Sequence, residues 1–274
     1  MKAIENQTIL ITGATDGIGK ITARKLADRG ARLLVHGRNA AKLDQVEDDL
    51  RQVTGNQKVE TYLADFASLE QVRLLAQKVK ADHDELDVLI NNAGLGFSDE
   101  RQESEDGYEL RFAVNYLAPF LLTHLLLPLV DAGAPSRIVN VSSAGQQAID
   151  FDDVMLEQNY EAWQAYRQSK LALIMFTFEL AEKLKDRDIT VNSLHPGTFL
   201  DTKMVREADI KPLGTAEAGA EAEVYLATSP ELDQVSGEYF DQMSKAQALD
   251  QAYDADARRK LWELSKAWTG LESS

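Results

Sequence analysis

The chain has 274 residues, 44% of them hydrophobic and 27% charged, the values of an ordinary globular protein rather than a disordered or fibrous one. Its formal charge of −16 repels phosphate backbones and anionic lipid headgroups, which argues against nucleic acid or a membrane surface as a partner. There is no cysteine, so disulfides, thiolate zinc sites and cysteine nucleophiles are excluded and catalysis must use other groups.

The first expected strand is Thr8 to Thr12, a run of apolar and β-branched residues. It ends in Thr12-Gly13-Ala14-Thr15-Asp16-Gly17-Ile18-Gly19 and passes straight into a helical pattern of Ile18, Ile21 and Leu26 that closes at Gly30. A glycine-rich turn between a strand and a helix lets the backbone approach a pyrophosphate, and the helix N-terminus supplies free N–H groups and a positive dipole end. Gly13, Thr15, Asp16, Gly17, Ile18 and Gly19 are therefore candidate cofactor contacts. The alternative is a tight strand-to-helix connection, and the carboxylate of Asp16 disfavours a nearby phosphate.

The second strand, Arg32 to His36, continues into Gly37-Arg38-Asn39. No carboxylate stands where an NAD site would hold the ribose 2′-hydroxyl, whereas Arg38 is suited to pair with a 2′-phosphate, so NADP(H) is favoured with NAD(H) as the alternative. The third strand, Val59 to Leu63, leads to Ala64-Asp65-Phe66; here Asp65 can accept a hydrogen bond from an adenine amino group or cap a helix, and Phe66 beside it completes the adenine-side candidates. A helical pattern of Leu69, Val72, Leu75 and Val79 follows, then a fourth strand, Leu86 to Asn91, ending in Asn92-Ala93-Gly94, small residues and amides that suit a backbone passing beneath a cofactor.

The longest apolar run, Pro119 to Val130, is interrupted by Thr123, His124 and Pro128 and is shorter than the roughly 20 residues that span a bilayer, and no signal peptide is evident. A cytoplasmic address without a membrane partner is the expectation. Asn115, in a helical pattern just before this run, is either a satisfied core amide or part of a polar relay. The fifth strand, Arg137 to Ser142, delivers Ser142 and Ser143, whose hydroxyls can steady a developing oxyanion or simply cap backbone groups. Tyr166 and Lys170 share one face of a long helix four residues apart, and an ammonium beside a phenol favours the phenolate. The sixth strand, Thr190 to Leu194, is followed by Pro196-Gly197-Thr198; beyond it Ser236 to Phe240 reads as the last strand and Ala255 to Trp268 as a terminal helix.

Strands and helices thus alternate throughout, with no linker or internal repeat, which predicts one domain over 1–274. Such alternation produces an α/β fold, a single doubly wound parallel sheet of Rossmann type with helices on both faces and ligands at the strands' carboxyl ends.

Taken jointly, these residues resemble the short-chain dehydrogenase/reductase family from Thr8 to about Phe240. The marks are the Thr-Gly-x-x-x-Gly-x-Gly turn at Thr12 to Gly19, Asn91 to Gly94, Asn115, the serine after the fifth strand, Tyr-x-x-x-Lys at Tyr166 and Lys170, and Pro196-Gly197. The resemblance implies hydride exchange between a nicotinamide cofactor and a small-molecule alcohol/carbonyl pair, with Asn115, Ser143, Tyr166 and Lys170 as the catalytic tetrad and no metal. Tyrosine would transfer the proton, serine polarise the carbonyl, lysine hold the nicotinamide ribose and lower the tyrosine pKa, and asparagine hold a relay water. Ser143 is assigned over Ser142 because the second serine of Val-Ser-Ser usually matches the family's position. Cofactor contacts carried over with the motif are Asn92, Ala93, Gly94, Asn115, Tyr166, Lys170, Pro196, Gly197 and a threonine, Thr198 or Thr202. The interval between Ser143 and Tyr166 is longer than is commonest, and the added segment, Gln146 to Gln164, is similar to the retinol-dehydrogenase-like branch; with Phe151, Met155, Tyr160 and Trp163 it is expected to wall an apolar substrate pocket. A lid is expected over 198–213, and a homo-oligomer, dimer or tetramer; the apolar helix faces near Asn115 and Tyr166 are suited to pair across a two-fold axis or equally to form core. The alternatives are an NAD-dependent alcohol dehydrogenase and a nucleotide-binding sensor that no longer turns over.

Overall fold

The structure is a computed structural model that describes residues 1–96 and 98–271. Strands β1 (Thr8–Ile11), β2 (Arg32–Gly37), β3 (Val59–Leu63) and β4 (Val88–Asn91) alternate with helices α1 (Gly17–Asp28), α2 (Ala40–Thr54) and α3 (Leu69–Asp82). The second half runs through the short α4 (Leu110–Phe112), a π-helical turn (Ala113–Leu117), α5 (Ala118–Ala132), β5 (Ser136–Val141), α6 (Ala162–Lys183), β6 (Ile189–His195), α7 (Lys203–Glu207), α8 (Ala216–Thr228), β7 (Tyr239–Asp241), β8 (Ser244–Ala246) and α9 (Ala255–Trp268). All eight strands form one sheet in the order β3-β2-β1-β4-β5-β6-β7-β8. Chain order reverses on either side of β1 and β4, which opens a crevice at their carboxyl ends where ligands of such sheets bind.

Side chains alternate across each strand, so the sheet feeds two cores. Leu10, Leu34, Leu89 and Ile138 pack with residues of α3, α5, α6 and α9, whereas Ile9, Ile11, Leu33, Val35, Ile90 and Val139 pack with α1, α2 and α8. Burial on both faces explains why the strands read as continuous apolar runs rather than as alternating ones. A polar thread crosses the middle: Asn91 Nδ2 donates to Asn140 Oδ1 at 2.8 Å, and Asn140 Nδ2 donates to Thr177 Oγ1 at 2.9 Å. It fixes the heights of β4, β5 and α6 relative to one another.

Two features depart from the expected architecture. The sheet is parallel from β3 through β7, but β8 returns antiparallel to β7 around Gln242, whose φ is 54°; three residues are too few to show a period in sequence. The helical stretch from Leu110 to Ala132 is continuous over 23 residues, its most apolar 18-residue window having mean hydropathy 1.6, and is longer than the interrupted run read from sequence. By length and composition it could cross a membrane, yet 78% of its most apolar window is buried inside the fold.

The helix α9 accounts for part of that burial. Trp262 lies edge-on to Phe120 at 5.3 Å between ring centroids and stacks with Phe176 at 5.9 Å, and Tyr116 shares a 2.6 Å hydrogen bond with Ser265. The chain's own last helix thus covers part of the apolar surface of α5 and α6.

Candidate active site

The glycine turn is locked against the end of β4. Thr12 Oγ1 accepts from both Asn92 N and Ala93 N at 3.0 Å, while Asn92 Nδ2 donates to Thr12 O at 2.7 Å and to Gly13 O at 3.1 Å. Gly13 has φ +66°, and a Cβ there would fall 2.7 Å from Ala93 Cα; one on Gly19 would fall 2.3 Å from Asn92 Nδ2. The glycines are thus required by this interlock as well as by the open surface they leave. Asp16 caps α1, accepting from Gly17 N at 2.8 Å, and pairs with Lys42 Nζ at 3.1 Å. Although burial raises its pKa, the Lys42 ammonium and the Gly17 N–H outweigh that and hold it below the usual carboxylate value. Its charge is answered inside the protein, which removes the objection that it repels a phosphate.

His36 has a role that sequence reading passed over. Its Nδ1 accepts from Gly13 N at 3.2 Å and its Nε2 lies 3.0 Å from Ala64 O, so the neutral ring, protonated at Nε2, satisfies both partners. Burial pushes the imidazole pKa down to about 4. Phe66 stacks on this ring at 4.3 Å and is buried. Asp65 accepts from Ala67 N at 2.9 Å, the helix-entry alternative. Arg38, at the end of β2, is exposed and makes no ion pair or hydrogen bond among the described residues. Thr15 packs against Gly37, and Thr202 reaches back to Gly17, where an added Cβ would lie 3.5 Å from the threonine methyl.

At the other end of the crevice, α6 and the end of β5 bring the tetrad residues together. Ser142 and Ser143 point differently: Ser142 Oγ donates to Lys170 O at 2.7 Å, whereas Ser143 Oγ accepts from Gly145 N at 3.0 Å and shares the patch over Gly145 with the Tyr166 ring. The backbone of Ser143 is held by Tyr239, whose hydroxyl donates to Ser143 O at 3.1 Å, and by Gln146 Nε2 at 3.1 Å. Lys170 Nζ donates to Val141 O at 3.0 Å and lies 6.0 Å from the Tyr166 ring centroid. Burial pushes its pKa down to about 8, against an opposing pull from Glu223. The expected lowering of Tyr166 by this ammonium is not what the structure gives. Burial raises the phenol's pKa, and the opposing influence is the Ser143 hydroxyl.

Asn115 sits in the π-helical turn with its amide fully engaged. Oδ1 accepts from Leu95 N at 2.7 Å, and Nδ2 donates to Leu95 O at 3.1 Å and to Ser169 Oγ at 3.0 Å. It ties the loop after β4 to α6. Gly94 lies between the two polar groups, since a Cβ there would be 3.3 Å from both Asn115 Oδ1 and Lys170 Nζ. π-turns of this kind concentrate at functional sites.

A cavity of about 380 Å³ opens between these elements, lined by Ser143, Tyr166, Trp163 and, from 198–213, by Thr198, Phe199, Leu200, Thr202, Met204, Val205 and Ile210. Pro196 and Gly197 form its floor with His195, whose Nε2 is 3.1 Å from Thr198 Oγ1 and whose buried Nδ1 has no partner. Met204 packs on Gly96, where an added Cβ would meet Met204 Cγ at 2.8 Å. Of the four residues expected to wall the pocket from the added segment, only Trp163 does so. Met155 is buried in the core, Phe151 packs against it, and Tyr160 donates to Ser98 O at 2.9 Å. An apolar insertion on a small fold has core to complete before it has a pocket to line.

The glycine cradle, the unpaired Arg38 and the orphaned His195 Nδ1 are the features that a nicotinamide dinucleotide would satisfy, so the residues present fit that group. Among the described residues no group of acidic or histidine side chains could hold a metal ion.

Comparison with known proteins agrees with this layout. A sequence model of the short chain dehydrogenase family matches residues 7–212. Human retinol dehydrogenase 14 is 40% identical over 98% of this chain and 88% of its own length, and human retinol dehydrogenase 13 is 39% identical over 98% and 86%. Among solved structures, a protein from Mycobacterium paratuberculosis superposes with a TM-score of 0.80 at 29% identity, covering 97% of this chain and 94% of its own. A short-chain dehydrogenase from Escherichia coli CFT073 complexed with NADPH gives 0.72 at 30% identity, covering 86% and 96%. With a doubly wound sheet, a glycine turn seated under its switch point and a serine–tyrosine pair beside the crevice, the chain belongs to the short-chain dehydrogenase family, whose members are NAD(P)-dependent dehydrogenases acting on CH–OH groups.

Proposed function

We propose that this protein is an NADP(H)-dependent oxidoreductase that interconverts an apolar aldehyde or ketone with its alcohol, Tyr166 being the proton-transfer group. The observation that carries the reading is the convergence of Ser143 and Tyr166 on one patch at the wall of a largely apolar cavity, where a Cβ on Gly145 would lie 3.4 Å from Ser143 Oγ and 3.7 Å from a Tyr166 ring carbon. The cofactor supplies or accepts the hydride when bound. Because burial raises the Tyr166 pKa, the phenol is neutral at neutral pH and is poised as a proton donor, the role carbonyl reduction requires. Ser143 Oγ, fixed by Gly145 N, steadies the substrate oxygen as charge develops. Lys170 holds the nicotinamide ribose, and Asn115, with no free amide hydrogen, acts by positioning α6 and not by touching substrate. Gly13, Gly17 and Gly19 cradle the pyrophosphate. Arg38 receives the 2′-phosphate, a preference supported by the NADPH- and NADP-complexed dehydrogenases that the chain resembles.

The similarity to retinol dehydrogenases makes retinal and retinol the first substrates to try. The segment 198–213 acts as the lid, and 1–274 works as one catalytic domain. Any subunit contact lies away from the α5 and α6 faces that α9 covers. The test is NADPH oxidation with a panel of apolar aldehydes and ketones, retinal included, by wild type and Tyr166→Phe. Wild type should turn over; the variant should lose about 10²- to 10⁴-fold in kcat while its NADPH Kd is unchanged. Substantial activity in the variant, or NADPH binding by wild type without oxidation across the panel, refutes the assignment.

A further inference from the structure

The cavity carries an electrostatic asymmetry that the hydride-transfer reading leaves unused. The chain has 45 acidic and 29 basic residues, yet among the described residues no Asp or Glu lines the cavity, and the one permanently charged lining residue is Arg167. Arg167 follows Tyr166 on α6 and is half-buried; its guanidinium carbon lies 5.1 Å from the centre of the Trp163 ring, one helical turn back. Among the described residues it makes no ion pair and no hydrogen bond. This sets it apart from Arg32, Arg137, Arg187 and Arg258, each of which is paired with a carboxylate. An arginine at the edge of an apolar cavity gives up hydration without a partner to replace it, while its donors stay available because the indole engages only the cation's π-facing side.

Its place relative to the reacting groups follows from Gly145. A Cβ added there would lie 3.4 Å from Ser143 Oγ, 3.7 Å from a Tyr166 ring carbon and 3.7 Å from Arg167 Cγ. The arginine stem therefore leaves the same patch that holds the serine–tyrosine pair, and its head ends beside Trp163. Apolar lid residues, Phe199, Met204 and Ile210 among them, complete the space.

We infer that Arg167 is a specificity-determining residue that receives an anionic end group, so that the substrate is an amphipathic carbonyl or alcohol carrying a carboxylate at a distance from the reacting carbon. This rests on the reading of the cavity as the substrate pocket given above. The guanidinium fork pairs with both oxygens of a carboxylate, while the apolar lining takes the chain between the two ends. A neutral apolar substrate such as retinal fills the same space but leaves the cation unanswered.

The test compares ω-oxocarboxylates of increasing chain length with their methyl esters, in wild type, Arg167→Met and Arg167→Lys, each loaded with NADPH. Two readouts are taken: kcat/KM, and the Kd of each acid and ester product for the NADPH complex from nicotinamide fluorescence. At the best chain length wild type should favour acid over ester by roughly 10- to 100-fold in both, the effect of one charge-assisted contact. The ratio should fall to near one in Arg167→Met and be partly kept in Arg167→Lys, and added salt should shrink it in wild type. Equal treatment of acid and ester by wild type at every length, or a preference that survives Arg167→Met, overturns the inference. Turnover of the esters reports separately on the parent reading. If neither compound is reduced but Arg167-dependent binding of the acids persists, the pocket assignment stands and the chemistry fails.

Discussion

The two hydroxyls at the end of β5 differ by one position and have opposite employments. Both border the cavity, but the Ser142 hydroxyl is spent on Lys170 O, while the Ser143 hydroxyl accepts from Gly145 N and lies in the same patch as the Tyr166 ring. Ser143→Ala should lower kcat by about 10²- to 10³-fold with little change in thermal midpoint. Ser142→Ala should instead cost about 1 kcal/mol of stability, through loss of the buried hydrogen bond that ties β5 to α6; the reverse pattern, read by turnover and denaturant titration on the same samples, exchanges their roles. His36 makes a second residue-level prediction. Its pKa is about 4 in the fold against 6.5 when unfolded, so the unfolded chain binds the extra proton between those values. The histidine's contribution is complete above pH 6.5 and is lost as pH falls toward 4, roughly 3 kcal/mol in all. Protonation also puts a hydrogen on Nδ1 where Gly13 N now donates, so NADPH affinity should fall over the same range. His36→Gln that retains the full pH slope in both measurements would remove the histidine from the explanation.

Among the elements, α6 and α9 form a working pair. The long α6 carries Tyr166, Arg167 and Lys170 near its start, and its later turns are clamped by the aromatic cluster of Phe120, Phe176 and Trp262. Trp262 is 9% exposed, and Trp262→Ala should cost about 3–5 kcal/mol, seen as a shift in denaturant midpoint at constant slope. A cost below about 1 kcal/mol would mean that α9 is a loose appendage and not part of the core. The helix α9 was legible in sequence at its observed boundaries, Ala255–Trp268, because Leu261, Trp262 and Ser265 mark one buried face. What that face covers was not legible. The apolar residues of α5 and α6 read equally well as core or as a subunit interface, and only the fold shows that Phe120 and Phe176 meet Trp262 of the same chain. The π-helical turn at Asn115 was likewise invisible, since inserting one residue into a helical turn leaves the apolar pattern on both sides nearly unchanged.

At the scale of the whole molecule, the charge of −16 is spread over a surface with many ion pairs, most of them solvent-exposed and individually weak. Self-repulsion therefore outweighs them, and the thermal midpoint should rise by a few degrees as NaCl increases from about 0.02 to 0.5 M. A midpoint that falls with salt would show that the pairs carry more stability than the excess charge removes.

Sequence alone determined the order of strands and helices and the glycine turn, because strands buried on both faces and glycines under steric demand leave local signatures; the set Asn115, Ser143, Tyr166 and Lys170 came from the resemblance to a family. It could not determine what each side chain faces. That His36 holds the glycine turn, that Asp16 is answered by Lys42, that burial raises Tyr166, and that Arg167 stands unpaired in a cavity without carboxylates are all consequences of neighbours distant in the chain. Hydrogen bonds, desolvation and Coulomb forces depend on distance in space, and only tertiary packing sets that distance.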